Sequence, residues 1–465
     1  MTLLRTELSA LARLAIPLIT AQLAYVAMVF TDTVMMGRIG PDALASGGLG
    51  AATYSFVTVV CVGIIAAVGN LVAIRHGQDD TNGVTDVACA GLWIAVGLSV
   101  VAGLILWNLE PVLLALGQAP ATTHEAMSFI RTVSFALPGY LVFMSLRGFT
   151  SGIGHPGPVM SIAIGGALAN LVLNLAFIEG WMGLPFLGLK GIGLITALVM
   201  TVMAAAMGLT IRLRSAYAAY LIAPRLPRFN RNALSETLRL GLPIGGTYAV
   251  ETALFAAAAL CMGALGSTQL AAHQIANQLV YVAFMIPVGL AYASSLRVGL
   301  HFGAGRFAQS RLAGRIGITV GATCMLAVAI VFWLIPESLV GLFIDPSDPT
   351  THPVLALAVS LLAIAAWFEF FDGIQGIASG ALRGIRQARQ AMLIGLICYC
   401  FIGIVAAWLL GLVLGFDAHG VWWGMALGLA CAAVALTWAF ERHMRGLLHH
   451  EEAESSEAKQ WLTHS

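Results

Sequence analysis

Four carboxylates stand where a carboxylate is expensive: Asp32, Glu251, Glu369 and Asp372 each lie inside a long apolar run. The stretch before Asp32, Leu14 to Val29, carries no charge at all. A charge near the centre of a bilayer costs about 2.5–3.5 kcal/mol on insertion scales, so such side chains face a cavity or a partner. No lysine or arginine is expected at comparable depth to neutralise them. Left without a counter-ion, an acid there can exchange a proton with water, hold a hard cation such as Na⁺, or hold a cationic solute. The competing structural reading is a neutral acid hydrogen-bonded to a neighbouring helix. It suits any one of the four better than it suits the set. Glu369 and Asp372 are three residues apart, on one helical face, where they could share a proton or an ion; Asp372 is weighted above Glu369, which could point to the helix flank.

Other polar and aromatic groups lie on the same kinds of segment. Asn170 and Asn174 are four apart in ANLVLN and point the same way. Gln274, Gln278 and Tyr281 form a stripe, with Asn277 beside it. Phe255 follows Glu251 by one turn, and Phe368 precedes Asp372; aromatic faces can contact organic cations. Taken singly, each amide reads equally well as an interhelical hydrogen bond, and each phenylalanine as packing.

The elements that hold these groups follow from hydropathy. The chain has 465 residues, 59% hydrophobic and only 10% charged, with mean hydropathy +0.90, where soluble domains carry nearer a quarter charged residues. Runs of about twenty apolar residues, enough to cross a bilayer, fall at 11–36, 45–74, 87–107, 126–150, 158–179 and 190–212. A second set falls at 237–263, 270–297, 312–335, 354–382, 391–413 and 420–441. The fold class is therefore an all-α polytopic membrane protein of twelve helices. With the N-terminus in the cytoplasm, 20 of the 23 lysines and arginines, Arg147 and Arg383 among them, fall on the inner side; Arg38, Arg131 and Lys190 do not. That asymmetry places both termini inside. Pro17, Pro138, Pro243 and Pro287 fall within helices, where each removes a backbone hydrogen bond. Net charge is +1, which gives no electrostatic case for nucleic acid. Seven cysteines, all in apolar runs with no C-x-x-C pair, read as small apolar fillers. GIGHPG (152–157) fits a dinucleotide pattern only formally, because no strand precedes it. No nucleotide-binding signature is present, so uphill transport would draw on an ion gradient.

The halves resemble each other. RLAIP (13–17) aligns with RLGLP (239–243), Met36-Gly37 with Met262-Gly263, and Leu44-Ala45 with Leu270-Ala271, at a shift of 226 that grows to 232 further on. Through this register Asp32 maps to Ala258, Glu251 to Tyr25 and Asp372 to Tyr140. An even number of helices per half implies repeats of the same orientation, related by an axis along the membrane normal. The expected organisation is an N-lobe at 1–212, a basic, proline-interrupted cytoplasmic linker at 213–236 containing PRLPRFNRN, a C-lobe at 237–445, and a polar, frayed cytoplasmic tail at 446–465. Two similar lobes suit a secondary transporter, though a channel or a structural bundle can also be duplicated.

TDTVMMGRIGPDALA (31–45), LAAHQIANQ (270–278) and DGIQGIASGALRG (372–384), set in a duplicated twelve-helix chain, resemble the multidrug and toxic compound extrusion (MATE) transporters over residues 5–445. Glu251 followed by Phe255, together with Asp372, is similar to the NorM-like branch. The resemblance implies two six-helix lobes that exchange inward Na⁺ or H⁺ for outward organic cations. By position Asp32 is the N-lobe acid, and Glu251 and Asp372 are C-lobe acids of cation coupling, the pair that would hold Na⁺. Asn170 and Asn174 fall where another branch has an asparagine and an aspartate, and Phe368 where some NorM-like proteins have a tyrosine.

The expectation is a multi-pass antiporter of the bacterial inner membrane, acting as a monomer on bulky organic, often cationic drugs. It needs no cofactor beyond a coupling H⁺ or Na⁺, and no nucleic acid or nucleotide. Coupling falls to Asp32, Glu251, Asp372 and Glu369. Substrate contacts fall to Asp32, Asn170, Asn174, Phe255, Gln274, Gln278, Tyr281 and Phe368. The alternatives are a lipid-linked oligosaccharide flippase of related layout, whose pyrophosphate cargo would favour bases over acids, and an intramembrane enzyme using paired acids, whose Tyr-Asp and Gly-Asp signatures are missing.

Overall fold

The computed structural model describes residues 2–178, 188–220, 228–345 and 349–464. The PRLP portion of the linker, 224–227, lies outside them. Helices account for every regular element among the described residues. In order they are α1 (Thr2–Ile39), α2 (Pro41–Gly77), α3 (Thr81–Trp107), α4 (Glu110–Ala115), α5 (Pro120–Val133), α6 (Ala136–Gly152), α7 (Gly157–Ile178) and α8 (Leu189–Leu213). Then follow α9 (Arg231–Leu265), α10 (Ser267–Gly303), α11 (Phe307–Leu334), α12 (Pro336–Val340), α13 (His352–Gly384), α14 (Ala388–Leu396), α15 (Val405–Trp408) and α16 (Asp417–His464).

Among the described residues eleven spans are long and apolar enough to cross a membrane, and α5 with α6 makes a twelfth, bent by 46°. The bend has a local cause. Pro138 is the third residue of α6; its ring cannot accommodate the carbonyl four residues back, at Ser134, so the helix breaks just there. Pro138 thus interrupts a span, whereas Pro17, Pro243 and Pro287 lie inside continuous helices. The eleventh span, Ala388–Val413, is also irregular: α14 passes into a π-helical stretch at Ile397–Ile404, and a second follows α15 at Leu409–Val413. The polar tail, expected to be frayed, continues α16 to His464. HHEEAESSEAK is rich in good helix formers, and the helix has no reason to stop there.

The chain divides into two compact units, Ile16–Ala249 and Met1–Ala15 with Val250–Ser465. The divisions fall inside α1 and α9, so each unit contains part of both helices. In the first unit α6 is central, packing on α2, α3 and α8. In the second the corresponding place belongs to α13, against α10, α11 and α16. Close approach depends on glycine. Gly420, Gly424 and Gly428 are spaced by four along α16, a small-residue ridge of the kind that lets membrane helices meet backbone to backbone. A Cβ on Gly424 would stand 2.2 Å from the backbone nitrogen of Ala407.

Basic residues near helix ends are paired within each unit. Arg75 reaches Glu236 at 2.9 Å, and Asn230 donates to Asp86 at 2.7 Å. Arg297 donates to both oxygens of Glu7, at 2.8 and 2.6 Å, while Arg311 and Arg315 share Glu441. Two arginines assigned to the inner ends are instead buried: Arg147 is 3% exposed and Arg383 8%.

Candidate functional site: two carboxylate centres

The unit formed by Ile16–Ala249 holds the first centre. Asp32, near the C-terminal end of α1, accepts from the amides of Asn170 at 3.2 Å and Asn174 at 2.9 Å through Oδ1. The Thr196 hydroxyl on α8 donates to Oδ2 at 2.8 Å. The four-residue spacing on α7 therefore serves one carboxylate, as the shared face predicts. Both asparagines are fully buried, and neither amide oxygen has a hydrogen-bond partner among the described residues. Buried acceptors left open beside a carboxylate are suited to a bound cation or an ordered water. Thr196 is a partner that sequence alone does not single out, because threonine in an apolar helix usually bonds its own backbone. Two turns before Asp32, Tyr25 stacks on Tyr140 with ring centres 5.1 Å apart and planes 13° from parallel. Together with Gln22, Met28 and Arg147 they line a small cavity, in which Arg147 donates to the Gln22 amide oxygen at 2.8 Å.

Tyr25 and Tyr140 are the repeat partners of Glu251 and Asp372, and the second unit brings those two together. Glu251 on α9 and Asp372 on α13 are within electrostatic reach of each other. Asp372 is 1% exposed and Glu369 wholly buried. Gln375, one turn on, donates to Asp372 Oδ1 at 2.7 Å and also faces Glu251. Its amide oxygen accepts from the hydroxyl of Tyr399, on the π-helical stretch. Asp372 Oδ2 and both oxygens of Glu369 have no hydrogen-bond partner among the described residues. Glu369 therefore points inward with Asp372 and not to the helix flank. The expectation that no base lies near these acids is overturned by Arg383, whose charge acts on Glu251 while its Nε donates to the Ser379 carbonyl at 3.2 Å. Its position at the penultimate residue of α13 hid it: the side chain runs back along the helix into the core.

The aromatic positions separate from the amide stripe. Phe255 packs edge-on to Phe368 at 5.8 Å, and Phe368 to Trp422 at 5.7 Å. Trp422 in turn meets His273 at 5.6 Å. Phe368 is wholly buried in this run, so in this conformation it packs and presents no face to solvent. Gln274, Gln278 and Tyr281 share the exposed face of α10, while His273 is buried. Among the described residues no three His, Cys, Asp or Glu groups converge as a metal site. A cation at either centre would be held by one or two carboxylates with neutral oxygens, the ligand set hard cations accept.

The MatE family model matches residues 17–176 and again 243–409, so the two matches open at the repeat-related Pro17 and Pro243. A protein of Pseudomonas aeruginosa described as "Probable multidrug resistance protein NorM" is 60% identical over 452 residues, covering 97% of this chain and 92% of its own. One of Pseudomonas syringae pv. tomato with the same description is 59% identical over 96% and 97% of the two chains. Among solved structures, the eukaryotic MATE transporter AtDTX14 superimposes with a TM-score of 0.86 at 20% identity, over 96% of this chain and 99% of that one. An outward-facing multidrug resistance MATE family transporter of the MOP superfamily does so at 0.86 and 19%, over 96% and 98%. The likeness to these structures establishes a twelve-helix, two-lobe membrane fold, and the twofold match and high identity together place the chain in the MatE family.

Proposed function

We propose that the protein is a multidrug efflux antiporter of the bacterial inner membrane, exporting bulky organic, often cationic compounds in exchange for H⁺ or Na⁺. The observation that carries this reading is a carboxylate centre in each unit, half-buried at Asp32 and buried at Asp372, built from unlike partners, in a chain 60% identical to a protein described as a multidrug resistance protein. An ionised carboxylate beside aromatic walls holds an organic cation. Loading H⁺ or Na⁺ removes the charge that holds it, and linkage requires each ligand to weaken the other where they compete for one state. Substrate and coupling ion then favour opposite members of an alternating-access cycle. Both termini are assigned to the cytoplasm by the basic residues, and the monomer is taken as the working unit. A pyrophosphate-linked lipid is the weaker cargo, since carboxylates at both centres would repel it.

The test is efflux of a fluorescent organic cation from proteoliposomes, with a pH gradient and a Na⁺ gradient imposed separately. One of the two is expected to drive accumulation, and dissipating it to stop transport. Asp32→Asn, Glu251→Gln and Asp372→Asn are expected to insert at wild-type levels and lose gradient-driven efflux at least tenfold. Full efflux by all three, or accumulation with no gradient, sinks the reading.

A further inference from the structure

Asp372 is held by a chain of side chains that coupling by a buried acid does not in itself require. Gln375 Nε2 donates to Asp372 Oδ1 at 2.7 Å, and Tyr399 donates its hydroxyl to Gln375 Oε1. All three are buried, Tyr399 and Asp372 at 1% exposure and Gln375 at 3%. An amide offers donors on nitrogen and an acceptor on oxygen, so a hydroxyl that donates to Oε1 fixes which end of Gln375 meets the carboxylate. With Oδ1 engaged by an N–H, Oδ2 is the oxygen left open. It has no hydrogen-bond partner among the described residues, and the two oxygens of Glu369, also on α13, are open in the same way. Three buried acceptors without donors are what a site awaiting a proton or a cation presents.

Tyr399 is also the third residue of the π-helical stretch Ile397–Ile404. Such wide turns are rare and gather at functional positions. Here the stretch is wedged against α16, since a Cβ on Gly428 would fall 2.7 Å from the Cα of Gly403 and 3.0 Å from the Cys398 carbonyl oxygen. The tyrosine is thus presented from a backbone held on both sides of it.

We infer that Gln375 and Tyr399 are positioning residues for ion coupling: they pin Asp372 Oδ1 and thereby make Asp372 Oδ2, with Glu369, the place where the coupling cation loads. The inference rests on the antiport reading above. The other charged or titratable groups facing Asp372 are Glu251 from α9, Glu369 from α13 and Tyr399 from the π-helical stretch, with Arg383 from α13 acting on Glu251 and Tyr399; the donor that meets Oδ1 is the Gln375 amide.

Tyr399→Phe removes only the hydroxyl, and Gln375→Met removes the amide at nearly constant length. In proteoliposomes, ethidium efflux under the driving gradient is measured across external pH. Both variants are expected to shift the midpoint of the pH profile by half a unit or more and to lower the maximal rate at least fivefold, with KM for ethidium within twofold of wild type. In an Asp372→Asn background, Tyr399→Phe should shift the pH profile by less than half of its effect in the wild type, because the carboxylate oxygen that Gln375 Nε2 pins is gone and only Glu251 is left beside the amide. An unchanged profile in both single variants, alongside a defective Asp372→Asn protein, overturns this inference and leaves the antiport reading standing. Wild-type coupling in Asp372→Asn also overturns the inference, because the cation would then load elsewhere, and it overturns the antiport reading only if Asp32→Asn and Glu251→Gln keep full efflux as well. Loss of both single variants from the membrane also overturns the inference, since it would make the pair a folding element.

Discussion

At Asp32 three donors converge on one carboxylate, two amides from α7 and a hydroxyl from α8; at Asp372 a single amide does, itself steered by Tyr399. The asparagines were legible because residues four apart on a helix share a face. Thr196 was not, because which helix lies opposite an acid is a fact of packing and has no local pattern; Gln375 follows Asp372 by three residues on α13, a local spacing that a single glutamine did not advertise. Hydrogen bonds to a charged group are worth roughly 1.5–3 kcal/mol. Thr196→Val, which keeps the shape and deletes the donor, is therefore expected to change the proton or Na⁺ concentration giving half-maximal efflux about tenfold, while Thr196→Ser stays near wild type. Titration of dye efflux against the driving ion in proteoliposomes checks this; equal half-saturation for valine and threonine would remove Thr196 from the centre. Arg383 teaches a related point. Its position near a helix end suggested the membrane surface, but a long side chain directed toward the N-terminus of its helix can reach the core, and this one is 8% exposed.

The elements show where hydropathy alone is enough and where it is not. Every apolar run became a helix, since a bilayer leaves the backbone no other way to satisfy its hydrogen bonds short of a closed barrel. The irregularities came from specific residues. Pro138 turns one run into α5 and α6 with a 46° bend, and the eleventh run adopts two π-helical stretches that no composition signals. The ridge at Gly420, Gly424 and Gly428 is visible as a four-residue spacing, but its partner, the segment around Ala407 and Leu410, emerges only in three dimensions. Gly424→Leu would drive a side chain into the Ala407 backbone. Overpacking of this kind costs about 1–3 kcal/mol or more, and here the obstacle is backbone that cannot rotate away. The variant is expected to lose several degrees of thermal stability in detergent, measured by size-exclusion recovery after heating, whereas Gly446→Leu, with nothing within 4 Å of its Cβ, should behave as wild type.

For the whole molecule, the duplication is written twice, in the sequence register and in the two matches of the family model. What each unit does with it differs. Positions occupied by a stacked tyrosine pair in one unit, Tyr25 and Tyr140, are occupied in the other by Glu251 and Asp372. One scaffold thus carries an aromatic surface in one copy and a pair of acids in the other. The proposed topology has its own test: green fluorescent protein fused after Ser465 should fluoresce, and alkaline phosphatase at the same place should be inactive. The reverse pair of results would place the C-terminus outside and contradict the charge asymmetry. The number of spans, the duplication, the family and the set of acids within apolar runs all follow from the sequence, because hydrophobic length, repetition and the cost of charge in a bilayer are properties of the chain read along its length. The cross-helix partners of those acids, the approach of Arg383 to Glu251 and the contact of Tyr399 with Gln375 were decided by tertiary structure. Each depends on which residues distant in sequence come close to one another, and that is settled only when helices pack.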